Sequence, residues 1–187
     1  RFERAGRQTD LDEAITVGRQ AVDAAAPDHP NRAGYRSTLG VALQVRFERL
    51  GGQTDLDDAI TIGWQAVDAT PPDHPDRTMY LSNLGAALQT RFERAGRQTD
   101  LDEAITVGRQ AVETAAPDHP NRAGYLSNLG VALWVRFKRV GGQTDLDEAI
   151  ALRRQAVDAA PPDHPNRTMY LSTLGAALWA RFVRLGG

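Results

Sequence analysis

Apolar residues recur along this chain with helical spacing. From Thr9 to Ala26 they fall at Leu11, Ala14, Ile15, Gly18, Ala21, Val22 and Ala25. That is one narrow face of a period of about 3.6 residues, which predicts an amphipathic helix. Thr9 and Asp10 precede the face as N-cap residues, with Asp12 and Glu13 three positions behind them. Pro27 stops the helix, and Pro30 keeps the loop from resuming it. Asn31 then caps a second helix running from Arg32 to Leu50, with Asp76, Asn121 and Asn166 in the same role further on. The ridge of this second helix is Tyr35, Leu39, Leu43, Phe47 and Leu50. Gly51-Gly52 ends it, and Arg46 and Arg49 sit in its last turns, where cations are favoured. No stretch alternates with a strand's period of two.

The pattern has a fixed stride. Arg1-Phe2-Glu3-Arg4 returns at 46–49 and 91–94, and with changes at 136–139 and 181–184, a step of 45 residues each time. A constant stride of this size marks a stacked array. A lone 45-residue helix pair has too few large apolar side chains to offset the ordering of its chain, so neighbouring units must supply the missing interface. The expectation is one all-α solenoid over 1–187 with about eight helices, built from units 1–45, 46–90, 91–135 and 136–180. Residues 181–187 complete the last helix. Units one and three differ only at Asp23/Glu113, Ala24/Thr114, Arg36/Leu126, Thr38/Asn128 and Gln44/Trp134, whereas units two and four share Thr78-Met79 and Thr168-Met169. The deeper repeat is a 90-residue pair, which points to recent duplication or to a designed array.

Composition narrows the function classes. Net charge is −2, so the electrostatic footprint of a nucleic-acid binder is missing. No apolar run is long enough to cross a bilayer, and no signal peptide is visible. The absence of cysteine excludes disulfides and thiolate metal sites and fits a reducing compartment, so a cytoplasmic location is expected. The opening Arg1 falls in mid-unit, as expected of an excerpt from a longer protein.

The segment Tyr80-Leu81-Ser82-Asn83-Leu84-Gly85-Ala86-Ala87-Leu88 resembles the first helix of a tetratricopeptide repeat. Asp102-Glu103-Ala104-Ile105, Ala111-Val112 and Pro117 resemble the second helix of that family, and Tyr125 to Gly130 with Glu148-Ala149-Ile150 repeat the match. The family's usual unit is about 34 residues. Here Gln44 to Arg49 add roughly two turns, and the proline loop is longer, as in the long-unit arrays of large signalling proteins. The resemblance implies a right-handed superhelix whose first helices line a concave groove. It also implies a non-enzymatic scaffold that binds a protein or peptide without a cofactor.

Several residues compete for a functional role. Each unit carries Asp-His-Pro, at 28–30, 73–75, 118–120 and 163–165. One such loop per unit spaces the histidines too far apart for a shared metal, and catalytic groups rarely come in four copies, so loop and cap chemistry is expected. On the groove face, Gln44 and Gln89 become Trp134 and Trp179, beside Asn83 and Asn128 with Ser82 and Ser127. The tryptophans either anchor a ligand side chain while the asparagines bond its backbone, or pack between adjacent helices. No Lys or Arg stands near these asparagines to clamp a terminal carboxylate. Trp64 reads as an isolated exposed aromatic. Arg153 replaces Gly18, Gly63 and Gly108, which would loosen the last helix pair. Arg36 stands where Leu81, Leu126 and Leu171 sit, leaving the first unit poorly packed if that position faces the core. Leu174, Leu178 and Phe182 on the last helix form an uncovered face, and copies stacking end to end through it are the alternative function.

Overall fold

The computed structural model describes residues 2–184, with side chains from 8 to 184. Eight helices and no strand occupy this stretch: α1 (Phe2–Ala24), α2 (Arg32–Leu50), α3 (Gln53–Asp68), α4 (Arg77–Ala95), α5 (Gln98–Thr114), α6 (Arg122–Val140), α7 (Gln143–Ala159) and α8 (Arg167–Arg184). Each helix packs on the next. The even-numbered helices also touch one another in the series α2, α4, α6. The result is a solenoid of antiparallel helix pairs, closest within α2–α3, α4–α5 and α6–α7. Residues 185–187, assigned above to the end of the last helix, lie outside the described residues.

The stops follow the glycines. Gly51, Gly96 and Gly141 take φ of 77°, 68° and 76°, and the N–H of each returns to the carbonyl of Phe47, Phe92 or Phe137. This left-handed C-terminal closure is open to glycine without a Cβ penalty. The starts differ from expectation. The odd helices α3, α5 and α7 begin at glutamine, behind Gly52, Arg97 and Gly142, with no side-chain cap. Thr9 and Asp10 lie inside α1, which runs back to Phe2. Asn31, Asp76 and Asn121 do stand at the N-cap position of the even helices, but their side chains make no cap bond.

The counterparts of Asp10 in later units have another use. Arg46 spans nine residues to grip Asp55 through Nε and Nη2 at 2.7 and 2.6 Å. Arg91 grips Asp100, and Arg136 grips Asp145, in the same two-pronged way. The remaining Nη1 of each reaches Asp12, Asp57 or Asp102 of the preceding unit at 3.1, 3.0 and 3.3 Å. Each turn between helices is therefore bolted to its own unit and to the previous one. The Arg46 guanidinium holds the Asp55 carboxyl below the usual carboxylate range, and Arg46 in turn keeps its proton more tightly.

The core is a series of buried clusters along the stack. Leu56, Leu101 and Leu146 are fully buried, as are Leu43, Leu88 and Leu133. Leu50, expected on the ridge, is 63% exposed, because the helix turns away at Gly51 one residue later. Close approach is set by small residues: a Cβ on Gly18, Gly63 or Gly108 would sit 3.2–3.3 Å from a Leu Cδ1 of the following helix. Trp64 is not isolated; it is half-buried against the core around Leu84 and Ala111.

Candidate functional site

The largest unit-to-unit variation falls on the series of even helices. Between α4 and α6, floored by α5, lies a cleft of about 190 Å³. Gln44, Ser82, Gln89 and Asn128 rim it, Tyr125 closes one end, and Ala104, Gly108 and Ala111 form its floor. The small floor residues leave the space. Much of the rim is already hydrogen-bonded. Asn128 Nδ2 donates to Ser82 Oγ at 3.1 Å, and one unit earlier Asn83 Nδ2 donates to Ser37 Oγ at 3.1 Å. Gln44 Nε2 donates to Glu48 and to Thr90 Oγ1, and Gln89 Nε2 donates to Glu93. Burial pushes the Tyr125 phenol pKa up, so it stays a neutral hydroxyl.

The sequence-predicted residues do not all meet here. Ser82 and Asn128 line the cleft, and Asn83 lines a slit of about 10 Å³ between α2 and α4. Ser127 is buried beside Asn128. Trp134 stands one unit beyond Gln89 and is half-buried against the cluster of Phe137, Leu146 and Ile150, with its ring 5.5 Å from Phe137. The Arg153 guanidinium lies 5.0 Å over that ring and donates from Nη1 to the Thr173 carbonyl at 2.7 Å. Arg153 occupies the floor position held by Gly108 in the α4–α6 cleft. Trp134 and Arg153 together therefore fill between α6 and α8 the space that is open between α4 and α6. Arg153 does not part the last helices: α7 and α8 stay packed. Burial weakens its hold on its proton, and its Nε has no acceptor.

Trp179 is 66% exposed and stacks on Phe182, itself 55% exposed, at a ring separation of 5.6 Å. Leu174 and Leu178 are less open than expected. Both are half-buried against the cluster of Phe137, Leu146 and Ile150, and the uncovered leucine of α8 is Leu171.

The Asp-His-Pro loops behave as loop chemistry. Nδ1 of His29, His74, His119 and His164 accepts the backbone N–H two residues on, each at 3.1 Å. Three of the rings also pack on the following tyrosine. No cluster of three metal-binding side chains occurs among the described residues. No helix among them is long and apolar enough to cross a membrane. Sequence reasoning missed Tyr125 and the glycine floor as cleft formers. The only signal was the Gly108-to-Arg153 exchange, whose meaning depends on Trp134 in a neighbouring helix.

The architecture has relatives. The chain matches the nearly identical TPR-like repeats of a Podosopora anserina protein assigned as a kinesin light chain, with a TM-score of 0.68 at 21% identity over 98% of this chain and 84% of that one. A single-substitution variant of those repeats gives 0.70 at 20% identity, with the same coverage. The ArsTM double mutant of MamA RS-1 gives 0.54 at 18% identity, over 96% of this chain and 91% of that one. At these identities the likeness is one of fold. No curated protein is significantly similar in sequence. The tetratricopeptide repeat model matches residues 77–121 and 122–166, which are the pairs α4–α5 and α6–α7 with their loops. Consecutive matches 45 residues apart, on the helices that form the cleft, identify residues 77–166 as two tetratricopeptide repeats with long units.

Proposed function

We propose that the chain is a non-enzymatic interaction scaffold that takes an extended peptide in the α4–α6 cleft. Tetratricopeptide repeats are generally protein-interaction scaffolds. The observation that carries this assignment is the opening between α4 and α6 at a place where the next unit is filled by its own Trp134 and Arg153. Asn128, Gln89 and Gln44 offer amides to a peptide backbone, and the Ala-Gly floor accepts an apolar side chain. Trp179, exposed on the same series of helices, is a further contact for a ligand that extends past α6.

The filled interface supplies the test. Gln89→Trp with Gly108→Arg moves the plug one unit back using side chains the fold already accommodates. Short peptides selected by display on the immobilised chain should lose binding to this double variant while its helicity is unchanged. Binding that survives the plug overturns the assignment to the cleft. Trp134→Ala with Trp179→Ala reports separately on the aromatic positions.

A second reading has its own observation. Arg46, Arg91 and Arg136 each hold two aspartates, whereas among the described residues Arg181 has only Asp147, at 3.8 Å. Asp10, the counterpart of Asp55, is exposed on α1 beside exposed Ala14 and Val17. Leu171, Trp179 and Phe182 on α8 and this face of α1 thus present the two halves of the internal interface. End-to-end association of copies would rebuild that interface, in an open, heterologous geometry. Leu178→Glu with Phe182→Glu should abolish any concentration-dependent rise in scattering mass. A chain that stays monomeric at high concentration ends this reading.

A further inference from the structure

The loop edge between the first two units holds a second pocket, of about 250 Å³. Its lining includes His29, Arg32, Ala33, Arg36, Thr70 and His74. Two arginines distinguish it from the corresponding place in later units. Arg77, Arg122 and Arg167, the counterparts of Arg32, turn back to the end of the preceding helix. Arg77 Nη1 donates to the carbonyls of Val67 and Thr70, Arg122 Nη1 to Val112 and Ala115, and Arg167 Nη1 to Val157 and Ala160. The Arg32 side chain makes no such bond among the described residues, and its Nε is buried without an acceptor. Arg36 stands where Leu81 and Leu126 are buried in the core. Its one bond among the described residues is a long donation from Nη1 to the Gln65 carbonyl at 3.4 Å, and its Nε is also buried without an acceptor.

Arg32 and Arg36 lie four residues apart on one helix, where like charges repel. Burial and the nearby Arg32 charge both lower the Arg36 pKa. The pocket also sits at the N-terminus of α2, the positive end of its dipole, with Ala33 in the wall. Asp28, the carboxylate of the lining, is exposed and pairs with neither arginine. Two guanidinium groups with spare donors and a helix N-terminus converge on one space, and the space lacks a matching negative charge.

We propose that this pocket binds a phosphoryl group, with Arg32 and Arg36 donating to its oxygens and His29 and His74 at the rim. A tetrahedral dianion has the charge and the oxygens to accept from both guanidinium forks at once, and a carboxylate has fewer of each. The volume has room for the phosphate and part of the group that carries it. The site is independent of the cleft between α4 and α6, and unit one alone supplies Arg36.

Titration calorimetry with inorganic phosphate and with O-phosphoserine, at constant ionic strength, tests this against acetate. Saturable binding of a phosphate compound is expected, with acetate roughly tenfold weaker or worse. Tighter binding of O-phosphoserine than of inorganic phosphate identifies a phosphorylated side chain as the source; equal affinity identifies free phosphate. Arg36→Leu restores the residue of the later units, so it should fold at least as stably and lose the binding. Arg32→Gln should weaken the binding while leaving the core untouched. No binding by the unaltered chain, equal binding of acetate, or full binding by Arg36→Leu would each overturn the proposal.

Discussion

Residues 8–22 in α1 and 98–112 in α5 are identical in sequence and different in surroundings. Val107 is 1% exposed and touches the face of Gly85 on α4, while Val17 is 54% exposed. Ala104 is buried and Ala14 is exposed; Leu101 is fully buried and Leu11 partly so. The backbone differs as well. Phe92-Glu93-Arg94-Ala95-Gly96 ends a helix at Gly96, whereas Phe2 to Gly6, the same letters, continue straight through α1. Sequence alone therefore selects the helix. The neighbour on one side decides which residues become core and where a glycine breaks the rod.

The largest test of that contrast is one substitution made twice. Val107→Asp buries an unpaired charge and should cost on the order of 4 kcal/mol, whereas Val17→Asp should stay within about 0.5 kcal/mol. Urea unfolding followed by circular dichroism measures both, and equal costs would mean that α1 is covered in solution. Next comes the contrast between α2 and α6. Leu126→Arg should destabilise by roughly 3 kcal/mol, and Arg36→Leu should stabilise by about 1–2 kcal/mol, read as opposite shifts of the urea midpoint. A smaller effect is expected at the glycines. Gly96→Ala forces a side chain into a left-handed φ and should cost about 1 kcal/mol, while Gly6→Ala, in the second turn of α1, should gain about 0.5–1 kcal/mol in thermal melts.

The smallest effect is a dependence on pH. The Asp55 carboxyl has a folded pKa below its unfolded value, near 3.8. Its contribution is therefore fully present above that value and is lost as pH falls through the folded pKa. Stability should be level near neutrality and decline in acid below about pH 4, and Asp55→Asn should flatten part of that decline. An unchanged acid limb in the variant would show that the Arg46 clamp carries no weight in solution.

The fold was legible because its signals are local. The apolar spacing marked each helix, and Gly51 marked a stop whose counterparts Gly96 and Gly141 share its positive φ. The prolines marked the loops, and the stride gave the stacking. Asp10 was read as a cap, whereas its counterparts Asp55, Asp100 and Asp145 bond arginines, because a helix-start pattern looks the same whether the carboxylate turns to the backbone or to an arginine across the bend. Trp64 was misread because its cover comes from the surrounding core cluster. The candidate site was legible only in part. Ser82, Asn128 and the Gln-to-Trp exchange stood out as surface variation. Whether a glutamine borders an opening or a tryptophan closes it depends on the glycine or arginine at the base, some twenty residues later on another helix.

The double-ended arginine clamps also bear on heredity. Each clamp joins side chains at fixed offsets, one within its own repeat and one in the repeat before. If recombination between duplicated DNA segments removed or inserted a whole period, the new junction would bring together the same arginine and the same two aspartates. The number of periods can therefore drift between descendants without any junction having to be re-invented, and selection on length can act separately from selection on folding.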